Sequence, residues 1–251
     1  MAIATPEPLP SACLLADDIE MGIDCEIGRF VVIETGVRLG DRVRIGDGAF
    51  VGEGSRIGDD SRIGQRATVR EHSWIGKRVL IEAGAILGAD GFGFAQRADG
   101  TQFKIPQAGI VEIGDDCHIG ARATIDRATL GKTLLRDGVK IGPQVMVGHN
   151  VVLGEGCELD AQCGVSGSTK IGARTWIGSQ AGLVGHLEVG EGCRIEAYTG
   201  VTKKLAPNTH LKGVFPAMAP EQFDRQQELV ARLPDLVERL EKLETKTAQA
   251  V

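Results

Sequence analysis

Two histidines, His149 and His186, each follow a glycine, in VGHNV and VGHLE, and they stand thirty-seven residues apart. Imidazole is the side chain best suited to take up and return a proton near neutral pH. Gly167 follows His149 by eighteen residues. A base beside a backbone N–H is the minimum set for acyl transfer. One group removes a proton from the nucleophile, and the other receives the charge that builds on the carbonyl oxygen. On spacing alone, two hydrogen-bonded structural histidines account for the pattern equally well. His72, His118 and His210 have turn-like or charged neighbours and read as solvated.

The spacing gains meaning from the elements that carry it. Stepping by six from Leu15 meets Met21, Ile27, Ile33, Leu39, Ile45, Val51, Ile57, Ile63, Val69, Ile75, Ile81 and Leu87. Glycine follows at Gly22, Gly28, Gly40, Gly46, Gly52, Gly58, Gly64, Gly76 and Gly88. The array resumes at Ile113, Ile119 and Ile125, slips through Leu130 in two five-residue steps, and runs from Leu135 to Val201. Neither a 3.6-residue nor a two-residue period produces this. A period of six predicts a short strand, a turn that needs a glycine-like backbone, and the next strand. Three such units close a coil of eighteen residues, and stacked coils pair as parallel strands about 4.8 Å apart. His149 and His186 then lie two coils plus one residue apart, near one edge of a prism and roughly 10 Å apart along its axis. That suits two groups flanking one substrate.

Composition agrees. The chain has 251 residues, 35 glycines, 4% aromatic residues and a net charge of −6. A core poor in aromatics must come from many small aliphatic layers. The acidic balance argues against nucleic-acid binding, and no apolar run is long enough to span a membrane. Met1 to Pro10 lacks the basic and apolar regions of a secretory signal. All six cysteines (Cys13, Cys25, Cys117, Cys157, Cys163 and Cys193) fall two residues before an apolar hexad position, with Val37, Ser55 and Ala67. Residues two apart on a strand share a face, so the cysteines read as small buried residues rather than zinc ligands or disulfides. That is compatible with a reducing cytoplasm.

Two segments break the array. Residues 88–111 form an inserted loop containing Phe92, Phe94 and Phe103. A long loop in a regular solenoid is usually functional, the alternative being a lid that only packs on a neighbouring coil. The hexads stop after Pro207, and Leu229, Leu233, Leu236, Leu240 and Leu243 then follow helical spacing. Pro234 suits the first turn of a second helix. The narrow leucine seam and the charged opposite face favour self-association over packing on the chain's own solenoid. The expected organisation is a hexapeptide-repeat domain over 11–206 and a helical C-terminal extension over 207–251.

The runs GADGFGFA, KIPQAGIVEIGDDCHIGARATIDRATL, GVKIG, VGHNV, SGSTKIG, GLVGHLEVG and TGVTKKL, with the FPAMAP segment, resemble the UDP-3-O-(3-hydroxyacyl)glucosamine N-acyltransferases of lipid A synthesis. The resemblance covers the chain from about Gly76 into its tail. It implies an all-β fold, a left-handed parallel β-helix with a C-terminal α-helical extension. It implies that His149 is the general base toward a glucosamine 2-amine, that His186 assists, and that Gly167 offers its N–H to the oxyanion. Asp90, Phe92, Phe94 and Asn150 are the implied substrate-binding residues. The implied assembly is a homotrimer with sites in the clefts between subunits, in the cytoplasm. No bound cofactor or metal is implied, because the acyl donor arrives on the phosphopantetheine of acyl carrier protein. Lys203, Lys204, Lys212, Arg225 and Arg232 are the candidate docking residues for that acidic partner. Two features depart from the family. The repeats begin by Leu15, leaving no room for its N-terminal uridine-binding domain, and Gly142–Pro143 replace an Asp–Asn pair before the base. Two other readings are an acetyl-CoA-dependent transferase on a nucleotide amino sugar and a non-catalytic scaffold.

Overall fold

A computed structural model describes residues 12–213 and 218–248. Met1 to Pro10 and Phe215 to Ala217 of the FPAMAP segment lie outside the described residues. Residues Met1–Gly213 and Val214–Val251 form two compact units. The first is a left-handed parallel β-helix whose three faces are sheets of ten, nine and ten strands. Each strand pairs in parallel with the one a full coil later, as in Val32↔Phe50, Arg38↔Arg56 and Arg44↔Arg62. The hexad residues Ile33, Leu39, Ile45 and their successors point inward and are buried, with Val31, Val37 and Val43 between them. Strand pairing continues past Ala206, since His210–Leu211 pairs with Arg194–Ile195.

The repeated glycine has a different task from the one its turn position predicts. The left-handed backbone falls two residues later and is carried by other residues, among them Arg42 (φ 56), Asp60 (φ 61) and Arg78 (φ 56). The hexad glycine is required by close stacking instead. A Cβ added at Gly40 would lie 2.7 Å from the Asp59 backbone nitrogen.

The second inward position also has a chemical rule. Ser61 donates its hydroxyl to the Gly76 carbonyl at 2.8 Å, Thr175 to Gly190 at 3.0 Å, and the Cys157 thiol to Gly172 at 3.0 Å. Small donors satisfy corner carbonyls that turn into the core. All six cysteines are free. Burial pushes the Cys117 thiol up to about 11 and that of Cys163 to about 12, so both stay protonated and unreactive.

Both interruptions lengthen a coil without breaking the stack. Residues 88–111 carry an antiparallel hairpin, Phe94–Gln96 with Gln102–Lys104. Across this loop the partner of Trp74 becomes Glu112. The second interruption corrects the five-residue slip. Leu130 is not an inward rung but is 74% exposed in a loop. The extra residues between Asp126 and Lys132 bulge outward, so that Thr124 pairs with Met146. Arg127 clamps this bulge to an earlier coil, donating to the Glu71 carboxylate at 2.6 Å and to its carbonyl at 2.7 Å.

In the second unit, α1 (Pro220–Ala231) and α2 (Leu233–Ala248) meet at Arg232, and Pro234 sits in the first turn of α2. Leu229, Leu233, Leu236, Leu240 and Leu243 are all exposed.

Candidate active site

The strand Met146–Val147 runs into Gly148 and His149, and the chain then turns at Asn150 (φ 59). One coil on, Gly164–Val165 leads through Ser166 and Gly167 to Ser168 (φ 62). Another coil brings Gly182–Leu183, Val184, Gly185 and His186 (φ 60). The corners are tied together, since Ser168 N–H donates to the His149 carbonyl at 2.8 Å and His186 N–H to the Gly167 carbonyl at 3.0 Å. His149, Gly167 and Gly185 are therefore equivalent positions on successive coils.

The absence of a side chain at Gly167 makes room for the imidazole. A Cβ there would lie 2.7 Å from His149 Nε2 and 2.8 Å from Nδ1. The inserted loop bounds the same residue through Gly91, where a Cβ would lie 2.9 Å from His149 Cβ and 3.0 Å from Nδ1. Among the described residues the Gly167 N–H donates to no acceptor. An imidazole and a backbone N–H without an acceptor among the described residues are thus adjacent.

They open on a cavity of about 620 Å³ whose wall includes Phe92, Asp126, Met146, His149, Ser166 and Val184. Along the first sheet its outward positions pass from Met146 to Gly164, Gly182 and Gly200. A Cβ at any of these three glycines would meet nothing within 4 Å. The face beside His149 is therefore an open, mainly apolar groove.

The other expected site residues separate. Phe92, 87% exposed, is on the cavity wall and meets Phe94 edge-on at 5.2 Å. Phe94 itself, Asp90 and His186 are not on the wall. Asp90 pairs with Lys104 at 3.4 Å, and the same ammonium donates to the Gly91 carbonyl at 3.1 Å. Asn150, also expected to contact substrate, has structural partners. It is not on this wall, and its amide receives Thr129 N–H at 3.0 Å and donates to the Leu130 carbonyl at 2.8 Å. It fixes the 127–131 bulge. Thr129 in turn donates to Gln107 in the inserted loop at 2.9 Å. Among the docking candidates, Lys204 is paired with Glu188, whereas Lys203 and Lys212 are exposed and have no ion pair among the described residues. Arg232 lies 4.0 Å from Glu228, and Arg225 is exposed.

Asp126 is the residue missed by sequence reasoning. It is 3% exposed, yet lines the cavity. It stands one place after inward Ile125, where the repeat usually has glycine, and that substitution was the available signal. Burial pushes its carboxyl up to about 7, with Lys104 opposing and Asp90 adding to the rise. The folded state thus keeps a proton that the unfolded state loses above its ordinary value of 3.8. Stability falls as pH climbs from that value toward 7, because the folded state binds more protons. Asp126→Asn should therefore raise Tm at pH 8 and leave it nearly unchanged at pH 3.5, as calorimetry at the two pH values would show.

Comparison with known proteins places this geometry. Residues 132–167 and 168–203 match the family described as bacterial transferase hexapeptide (six repeats), and 54–89 match the hexapeptide repeat of succinyl-transferase. The fold is shared with the UDP-N-acetylglucosamine acyltransferase of Arabidopsis, at TM-score 0.69 and 17% identity, covering 82% of this chain and 73% of that one. The UDP-N-acetylglucosamine O-acyltransferase of Moraxella catarrhalis aligns at TM-score 0.62 and 20% identity, over 84% of this chain and 77% of its own. Fold and repeats together define a left-handed β-helix protein of the hexapeptide transferase class. The UDP-3-O-acylglucosamine N-acyltransferase of Bordetella pertussis is 40% identical over 182 residues, 71% of this chain and 50% of that protein. The Coxiella burnetii protein of the same name is 39% identical over 254 residues, 97% of this chain and 73% of its own. The chain belongs to the UDP-3-O-acylglucosamine N-acyltransferase family. It spans about half the length of the Bordetella relative.

Proposed function

We propose that the chain transfers a 3-hydroxyacyl group from acyl carrier protein to the 2-amine of a UDP-glucosamine derivative in lipid A synthesis. The carrying observation is the His149 imidazole packed on Gly167, beside a free N–H, at the mouth of a mainly apolar cavity. His149 takes a proton from the amine as nitrogen attacks the thioester carbon. The Gly167 N–H faces the oxygen on which charge builds. The C–N bond forms, the C–S bond breaks, and the thiolate receives the proton from His149. The groove over Gly164, Gly182 and Gly200 suits the acyl chain. The N-acyltransferase activity for which the relatives are named supports the amine acceptor.

His186 is exposed at the corner two coils away and is not on this cavity wall. Gly142 and Pro143 line a second cavity of about 390 Å³ with His118, Lys140, Glu158 and Asp160. A homotrimer would bring an edge of one subunit against its neighbour, and the exposed leucines of α1 and α2 suit the same assembly. Among the described residues no helix is long and apolar enough to cross a membrane, which fits action in the cytoplasm. The direct test is turnover with a 3-hydroxyacyl carrier protein and UDP-3-O-acylglucosamine, against acetyl-CoA as donor. Turnover with acetyl-CoA alone would replace this reading by an acetyltransferase, and turnover with neither would favour a scaffold.

The donor's dock yields a further expectation. Acyl carrier proteins are acidic, so Lys203 and Lys212, exposed and without an ion pair among the described residues, are candidates to meet one. Such charges act over about 8 Å at physiological salt and speed encounter more than they tighten the complex. Lys203→Glu with Lys212→Glu should raise KM for the carrier-bound donor and flatten its salt dependence, with kcat at saturation nearly intact. Steady-state kinetics across a salt series reads both effects.

A further inference from the structure

An acceptor amine enters as an ammonium ion and must lose two protons before the amide is complete, whereas His149 takes one of them in the attack. Asp126 is placed for the other. Ile125 pairs with Val147, so Asp126 and the Gly148–His149 pair leave adjacent coils at the same edge, about 4.8 Å apart along the axis. The Asp126 backbone is fixed there by its register with Ala89 and by Arg127 N–H donating to the Ala89 carbonyl at 2.8 Å. Asp126 is only 3% exposed, and it is on the wall of the His149 cavity. Among the described residues it accepts no hydrogen bond and forms no ion pair. The neighbouring charges are committed elsewhere. The Arg127 guanidinium is turned to Glu71, and Lys104 is turned to Asp90 and the Gly91 carbonyl. A buried acid without a partner costs stability unless something else requires it.

We propose that Asp126 is the second base of the site, receiving the acceptor's ammonium and taking its first proton. This rests on the N-acyl transfer proposed above. The Asp126 carboxylate takes H⁺ from R–NH₃⁺ and becomes the neutral acid, leaving R–NH₂. The amine attacks the thioester carbon, His149 takes the second proton, and the C–S bond breaks. The thiolate leaves with the His149 proton, and Asp126 returns its own to solvent. One ammonium and one thioester become one amide, one thiol and one released proton. The raised proton affinity of Asp126, near 7, matches an acid–base group working near neutral pH. Asp90 and Lys104 act on it with opposite sign.

The test is kcat/KM from pH 6 to 10 for the intact chain, Asp126→Asn and Asp126→Glu, with the UDP-glucosamine amine acceptor and its 2-hydroxyl analogue. Asp126→Asn should lose about 10²-fold or more at pH 6 to 7, the ordinary worth of a positioned proton acceptor. It should recover to within about threefold above about pH 9, where an amine with a pKa of about 8, like that of an α-amino group, is already neutral. Asp126→Glu should restore part of the neutral-pH rate. The 2-hydroxyl analogue, with no ammonium to deprotonate, should react equally well with the intact chain and Asp126→Asn. A loss of the same size at every pH, or no loss at all, would overturn the second-base role. An intact chain inert toward the amine but active on the hydroxyl would instead overturn the N-acyl reading on which it rests.

Discussion

His149→Ala lowers kcat by about 10² to 10⁴, the usual contribution of a general base, and leaves the fold in place. The imidazole contributes no inward side chain to the β-helix, because its position is the corner residue after Gly148 rather than a hexad rung. Its backbone carbonyl, which accepts Ser168 N–H at 2.8 Å, survives the substitution. Circular dichroism and Tm should therefore match the parent while turnover collapses. Asparagine at 149 is the companion variant, since it retains polarity and approximate volume but takes up no proton. Wild-type kcat in either variant would remove His149 from the mechanism.

The second large effect is expected at a residue with no side chain. Gly167→Ala places a methyl carbon 2.4 Å from His149 Cε1 and 2.7 Å from Nε2, closer than any contact allows. Gly167 is outside the left-handed backbone region, so alanine itself is admitted without strain. The conflict falls entirely on the imidazole. The ring cannot retreat toward the inserted loop, because Gly91 packs against its Cβ and Nδ1. It must rotate away from the free N–H. A misplacement of about 1 Å in a reacting group costs about 10²-fold, so kcat should fall by that order while Tm shifts little. Crystals of Gly167→Ala should show His149 in a new rotamer. An unmoved ring with unchanged kcat would show that the two groups do not act together.

Much of this was legible in the sequence. The hexad was plain because most strands of the coils are two residues long and the second residue points inward, as at Ile45 and Ile63. The 88–111 loop stood out because the array stops there. Leu130 misled because apolar character marks a rung only when the register is kept, and the bulge after Asp126 carries it outside. The hexad glycines were read as turn residues, although their constraint comes from a neighbour eighteen or so residues away in sequence, which no local pattern reveals. Asp126 was passed over, and the partners of Asn150 went unseen, for the same reason. The burial of one and the hydrogen bonds of the other depend on how two separate insertions fold over the same edge.

Those insertions also set an order of events. Every coil touches only its neighbours, so a stack with one constant loop length zips from rung to rung at a constant cost. The rung from Trp74 to Glu112 closes a chain about twice as long as the rung from Arg56 to Trp74. Doubling a loop adds about 0.6 kcal/mol of closure entropy. The stack therefore has a slow joint, with coils on either side able to form first. The Gly91 contact that bounds His149 belongs to the loop at that joint. His149 acquires its final surroundings only when the two halves have zipped together, making the proposed site a late report on the completeness of the whole solenoid.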